Sequence, residues 1–252
     1  MDFPGARGLV VALAAWVLVL QPERCSAEDA VEFPLSYPQY EVTAGAEAAS
    51  HSWSVWGGAT FAPFGDVRVD GFRIRSSTGI GFYTYNGSRW NGVERLPATF
   101  QGRYSSIELL LGWQAALGPV IVKAFAGGIQ EAHDIRPFDY AGRVQGDYVG
   151  AKVALETWLG LSDWGFIQTD FSWSQPLGAH SVRLRAGYRA TPFWSVGLEG
   201  ALVGNADNES GRAGLFTRLE APIGEMSISG GMAGEGDASS AVYATVGLLW
   251  RF

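Results

Sequence analysis

The sequence holds three histidines, His51, His133 and His180. A serine directly follows His51 and His180, but neighbours on a strand point to opposite faces, so neither pair makes a nucleophile–base dyad. His133-Asp134, with Asp139 close behind, is the strongest arrangement for hydrolysis. An Asp/His surface protease would need such groups at the rim of a barrel, and this segment is predicted to be an external loop. The sequence contains no Gly-x-Ser-x-Gly elbow and no His-Glu-x-x-His zinc motif. The single cysteine, Cys25, falls in a predicted leader, so the mature chain carries no thiolate chemistry. No catalytic residue, metal ligand or cofactor is assigned.

The second chemical signal is charge that alternates with apolar residues at a period of two. One face collects Arg73, Arg75, Lys123, Lys152, Arg183, Arg185, Arg189, Arg212, Arg218 and Arg251. Against these stand Glu108, Glu156, Asp170, Glu199 and Glu220, leaving a positive surplus although the whole chain has a net charge of −7. Two readings stay open. The charges form a ladder of ion pairs plugging a narrow lumen, because unpaired buried charge is costly, or they line a basic conduit for an anion or a polar polymer. The same face carries Trp56, Tyr83, Tyr85, Tyr104 and Tyr148. Such rings either stack on sugar rings or simply fill volume. The acidic balance gives no indication of nucleic-acid binding.

These faces require strands to display them. The C-terminal stretch AVYATVGLLWRF places Val242, Ala244, Val246, Leu248, Trp250 and Phe252 on one face. Tyr243, Thr245, Gly247, Leu249 and Arg251 fall on the other. Trp250 and the terminal Phe252 look like a membrane-insertion signal of outer-membrane barrels. Similar alternation runs through Ser52 to Phe61, Gly71 to Tyr85, Arg103 to Leu117 and onward, giving eleven strands. An up-and-down barrel with both ends on one side needs an even number, so a weak twelfth strand is expected between Tyr37 and Ala48. The predicted fold is all-β: a transmembrane antiparallel up-and-down barrel of about 12 strands, with about 10 as the alternative. Tight turns at Gly118-Pro119, Ser162 to Gly165, Thr191-Pro192 and Pro222 to Gly224 alternate with longer connections at Asn86 to Thr99, Ala132 to Gly146, Gln175 to His180 and Gly204 to Ser210. The tight set is predicted to face the periplasm and the long set the exterior.

Arg7 followed by an apolar run from Leu9 to Leu20 and an exit at Ala27 reads as a cleaved secretory signal peptide. The expected organisation is a signal peptide over residues 1–27, an N-terminal segment over 28–50 with room for the first weak strand, and a barrel over 51–252 in the bacterial outer membrane. Its expected surroundings are outer-membrane lipid and the barrel-assembly machinery.

Three stretches carry a family likeness: Leu110 to Gly127 (LLGWQAALGPVIVKAFAG), Gln145 to Trp158 (QGDYVGAKVALETW) and Val182 to Arg189 (VRLRAGYR). With the leader and the aromatic last strand, the chain resembles the cellulose biosynthesis protein BcsS family from about Ser52 to Phe252. The resemblance implies a non-catalytic accessory of bacterial cellulose synthesis, acting in export, anchoring or assembly of the exopolysaccharide. It also implies cellulose or cellulose-synthase components as partners. A small pore or structural barrel unrelated to cellulose, and less favourably a surface hydrolase, remain as alternatives.

Overall fold

A computed structural model describes residues 37–90, 93–140, 142–235 and 239–252. The predicted signal peptide lies outside the described residues. Alternating sequence yields twelve strands: β1 Tyr40–Ala49, β2 Ser52–Phe61, β3 Gly71–Trp90, β4 Arg95–Leu117, β5 Val120–Arg136, β6 Gly146–Gly160, β7 Gly165–Ser174, β8 His180–Thr191, β9 Trp194–Gly204, β10 Glu209–Ala221, β11 Gly224–Glu235 and β12 Ser239–Arg251. Each pairs antiparallel with its sequence neighbour, and β1 pairs β12 to close the barrel. Closure satisfies the backbone groups that an open edge would leave unpaired. The seam ends where Phe252 N–H donates to the Tyr40 carbonyl and Tyr40 N–H donates back, at 2.9 and 3.1 Å. The weak twelfth strand expected near Tyr37 to Ala48 is therefore β1, and the barrel begins at Tyr40 rather than at residue 51.

The period-two pattern sets what faces where. Leu109, Leu111, Trp113, Leu198, Leu215 and Val242 project outward and stay exposed. Aromatic pairs gird both ends of this apolar belt on the outside. Tyr40 stacks on Phe61 near the rim that carries Tyr40 and Phe252, here the terminal rim. Trp53 stacks on Phe82 towards the opposite, loop rim. Trp250 and Phe252 lie on the outer face, in register with β1.

Three connections differ from the predicted alternation. The turn between β1 and β2 is tight although it lies on the loop rim. Most of the predicted Asn86 to Thr99 loop is strand, since β3 and β4 stay paired out to Trp90 and Arg95. Tyr85 stacked on Phe100 and a hydrogen bond from Thr99 to Asn86 sustain this extension. On the terminal rim, where four tight turns are predicted and the connection over 62–70 is unassigned, residues 62–70 form a folded loop. Its Ala62 and Val67 are buried, and their amides donate to the carbonyls of Gln39 and Pro38. Elsewhere on this rim the turns are tight, as at Gly118, whose φ of +64° suits glycine.

Candidate functional site: a cross-braced lumen

The ladder register puts the predicted charged set on the inner face, where Arg75, Lys123, Lys152 and Arg212 each form an ion pair across the barrel rather than along it. Arg75 on β3 reaches Glu156 on β6 at 2.6 Å, with its guanidinium 3.7 Å above the Phe125 ring. Lys123 on β5 lies 3.5 Å from Glu41 on β1. Lys152 on β6 pairs with Glu108 on β4, which also accepts from Ser77 at 2.5 Å. Arg212 on β10 pairs with Glu47 on β1. Arg218 on β10 donates to Gln168 on β7, and Tyr243 on β12 donates to Glu199 on β9 at 3.0 Å. Ser77 on β3 is the neighbour of Glu108 in the ladder, but each of the other contacts joins strands that are not adjacent in the sheet and is a strut across the interior. Between neighbouring strands, Arg183 binds Asp170 at 2.7 Å and Arg185 binds Glu199 at 2.6 Å.

The remaining predicted charges sit at the terminal rim. Glu220 lies 4.0 Å from Arg218. Arg189 donates to the Asp163 carbonyl at 3.4 Å and sits 5.7 Å from the Trp158 ring centre. Arg251 bridges Glu41 and Glu225 at 3.3 and 3.7 Å. Arg73 is buried and, among the described residues, has no carboxylate partner within ion-pair distance; its guanidinium donates to the carbonyls of Asp66, Val67, Val69 and Phe72.

The positive surplus predicted for the lumen is corrected by the structure. Glu41, Glu47, Glu131 and Glu225 also face inward, so acids nearly balance bases. Sequence reading missed Glu41 and Glu47 because β1 was expected only as a weak strand with no face assigned. Their alternation with the apolar Val42, Ala44 and Ala46 was the available signal.

The predicted ring set divides. Tyr83 lies over Gly102, and a Cβ there would come within 2.2 Å of the ring. Tyr104 lies over Gly81 in the same way and stacks with His133. Tyr85 stacks between Tyr83 and Phe100 and donates to Asp139 at 2.6 Å. The Tyr148 hydroxyl is 2.8 Å from the Arg143 and Gln145 carbonyls. These four rings pack the loop-rim half and tie it to the loop over 137–145. Trp56 is different. One side of its indole covers Gly45, and the ring borders two cavities. A cavity of about 610 Å³ lies towards the terminal rim, between Trp56, Trp158, Arg75 and Arg251. A smaller one of about 250 Å³ lies towards the loop rim, between Trp56, Glu47, Arg212 and Thr245. Asp170 and Arg183 line both.

The strongest hydrolytic arrangement in the sequence is taken apart. His133 lies in β5, not in a loop, and faces inward against Tyr104. Asp134 faces outward and binds Arg136 at 3.0 Å. Among the described residues no cluster of His, Cys, Asp and Glu could hold a metal ion.

The model of the cellulose biosynthesis protein BcsS family matches residues 42–252. The chain belongs to that family. Comparison with the curated proteins finds no match. Among solved structures, this BcsS-family barrel is similar to the KdgM porin at 6% identity, covering 84% of this chain and 99% of that one with a TM-score of 0.45. It is also similar to the transport unit of the autotransporter AIDA-I from Escherichia coli at 10% identity, with coverages of 89% and 93% and a TM-score of 0.49. The translocator domain of the autotransporter NalP from Neisseria meningitidis is 12% identical, with coverages of 87% and 90% and a TM-score of 0.49. The family match spans β1 from Val42 onward, the strand that supplies Glu47 to the lumen.

Proposed function

We propose that this barrel sits in the bacterial outer membrane and serves cellulose biosynthesis as a non-catalytic accessory that anchors or assembles the exopolysaccharide at the cell surface. The membrane location is supported by the closed sheet, the apolar outer belt and its aromatic girdles, an arrangement that leaves no unpaired backbone in lipid. Cellulose, or components of its synthase, follows from family membership.

The observation that carries the choice of anchoring over conduction is the set of struts. Arg75–Glu156, Lys123–Glu41, Lys152–Glu108 and Arg212–Glu47 cross the space that a moving glucan would need. Charge-assisted bonds in a partly buried interior are stronger than neutral ones. The loop rim offers the external surface. Arg143 grips Asp207 through its amide and its Nε at 2.6 and 2.9 Å, joining two loops. A few residues before Arg143 in the chain, Phe138 and Tyr140 pack together and stay exposed.

Planar-bilayer recordings on the purified barrel should show no steady single-channel conductance. Deleting the gene should change the amount or architecture of extracellular cellulose, and Phe138→Ala with Tyr140→Ala should reduce the cellulose retained on cells. An unaltered matrix after deletion would remove the cellulose assignment. A stable open conductance would remove the braced-lumen reading.

A further inference from the structure

The geometry points to a second, internal glycan site. We infer that Trp56 and the charged pairs around it bind a neutral hexose unit within the lumen. This rests on the cellulose reading above and deepens it by placing a sugar inside the barrel.

Trp56 combines what a pyranose platform needs. One side of the ring is fixed over Gly45, where a Cβ would come within 2.2 Å of the indole. No other described aromatic ring or guanidinium stacks on it. It also borders both lumen cavities, so a face remains for a ligand. By contrast, Trp158, the other indole lining the larger cavity, is stacked on Phe166 at 4.2 Å and has Arg218 at 5.0 Å from its ring centre.

The polar groups flanking the ring are held in place before any ligand arrives. Asp170 is fixed by Arg183, and Glu47 by Arg212 and by the Thr245 hydroxyl at 3.4 Å. A carboxylate carries about four lone-pair sites, so each retains acceptor capacity for sugar hydroxyls. Because every acid beside Trp56 already has a cationic partner, the site offers hydrogen bonds without a strong net field. That selects a neutral polyol over an anionic sugar or a phosphate. The larger cavity, at about 610 Å³, is also within the size range of small-molecule sites.

The test uses the full mature chain folded in detergent, with calorimetric titration of cellotetraose and, separately, of a tetragalacturonate as the anionic probe. Cellotetraose should bind and tetragalacturonate should not. Trp56→Ala should weaken binding about tenfold, the ratio carried by one aromatic contact of ordinary strength. Trp56→Phe keeps a smaller platform and should lose less, which guards against a variant that fails to fold. Trp113→Ala, on the outer face, should bind as the parent does. Equal binding by folded Trp56→Ala, or preference for the anionic probe, would overturn the site. Failure of cellotetraose to bind while gene deletion still disturbs cellulose would sink this inference alone. Binding without any effect of deletion would sink the accessory role and leave the site standing.

Discussion

Arg185 and Glu199 meet at 2.6 Å on adjacent strands with side chains only 5% and 3% exposed. The Glu199 carboxylate also accepts from Tyr243 at 3.0 Å, so β8, β9 and β12 converge on one acid. The Arg185 guanidinium lies 5.0 Å from the Phe216 ring centre. Taking away one member of such a pair leaves a buried charge uncompensated, which costs about 3–5 kcal/mol. Arg185→Met and Glu199→Gln should each lower stability by that order in reversible denaturant unfolding of the detergent-folded barrel. The double variant should lose less than the sum of the two, because the second change removes the charge stranded by the first. Strict additivity would mean that the pair is not coupled.

Gly197 marks where two strands and a ring crowd together on the inner face. A Cβ there would come within 2.1 Å of the Ala186 carbonyl oxygen and 2.7 Å of the Phe216 ring. The backbone oxygen cannot rotate away as a side chain could. Gly197→Ala should therefore cost about 1–3 kcal/mol, the usual range for overpacking. Gly200→Ala, three residues on, meets only an ordinary contact at 3.9 Å and should be close to neutral. Matching denaturation midpoints for the two variants would contradict this packing.

Period-two alternation made the strands legible. Ser52–Phe61 falls where the pattern places it, and β12 shows the two faces read from AVYATVGLLWRF. Alternation says which residues share a face but not how far across a lumen a side chain reaches. The Arg212–Glu47 strut joins residues distant in sequence and could not be read from spacing. Local pattern also misjudged length. Asn86 to Thr99 is rich in polar and glycine residues and reads as a loop, yet the ladder between β3 and β4 keeps 86–90 and 95–99 extended. Likewise, His133 and Asp134 read as a loop pair, and their placement in β5 sends them to opposite faces.

The loop over residues 62–70 depends on one guanidinium. Arg73 is buried and gives its donors to four backbone carbonyls, while Gln114 donates to Val69 at 3.1 Å and Asp70 accepts from the Ala116 amide at 2.7 Å. Loss of the guanidinium leaves several buried carbonyls without donors, at about 1–3 kcal/mol each. Arg73→Met should release the loop without opening the sheet. Limited trypsin digestion should then cut after the half-exposed Arg68 several-fold faster than in the parent, while the remaining strands stay protected. An unchanged cleavage rate would show that the loop is held by its apolar packing at Ala62 and Val67 instead.

The same loop should carry a pH dependence of defined sign. The Arg68 side chain bonds both oxygens of Asp66, at 2.7 to 3.1 Å, and holds its carboxyl below the usual carboxylate range against the opposing effect of burial. The Arg68 amide adds a bond at 2.8 Å. A folded-state pKa below the unfolded one means that stabilisation is fully present above the unfolded value, about 3.9 for aspartate. It is lost as pH falls through the lower folded value. Arg68 is half-exposed, so solvent screening keeps the effect modest. Hydrogen exchange at the Arg68 amide, corrected for the intrinsic pH dependence of exchange, should show constant protection from neutral pH to about pH 4 and a decline below it. Asp66→Asn should flatten that profile. Protection that falls with rising pH, or an unaltered profile in Asp66→Asn, would exclude the Asp66–Arg68 pair as its source.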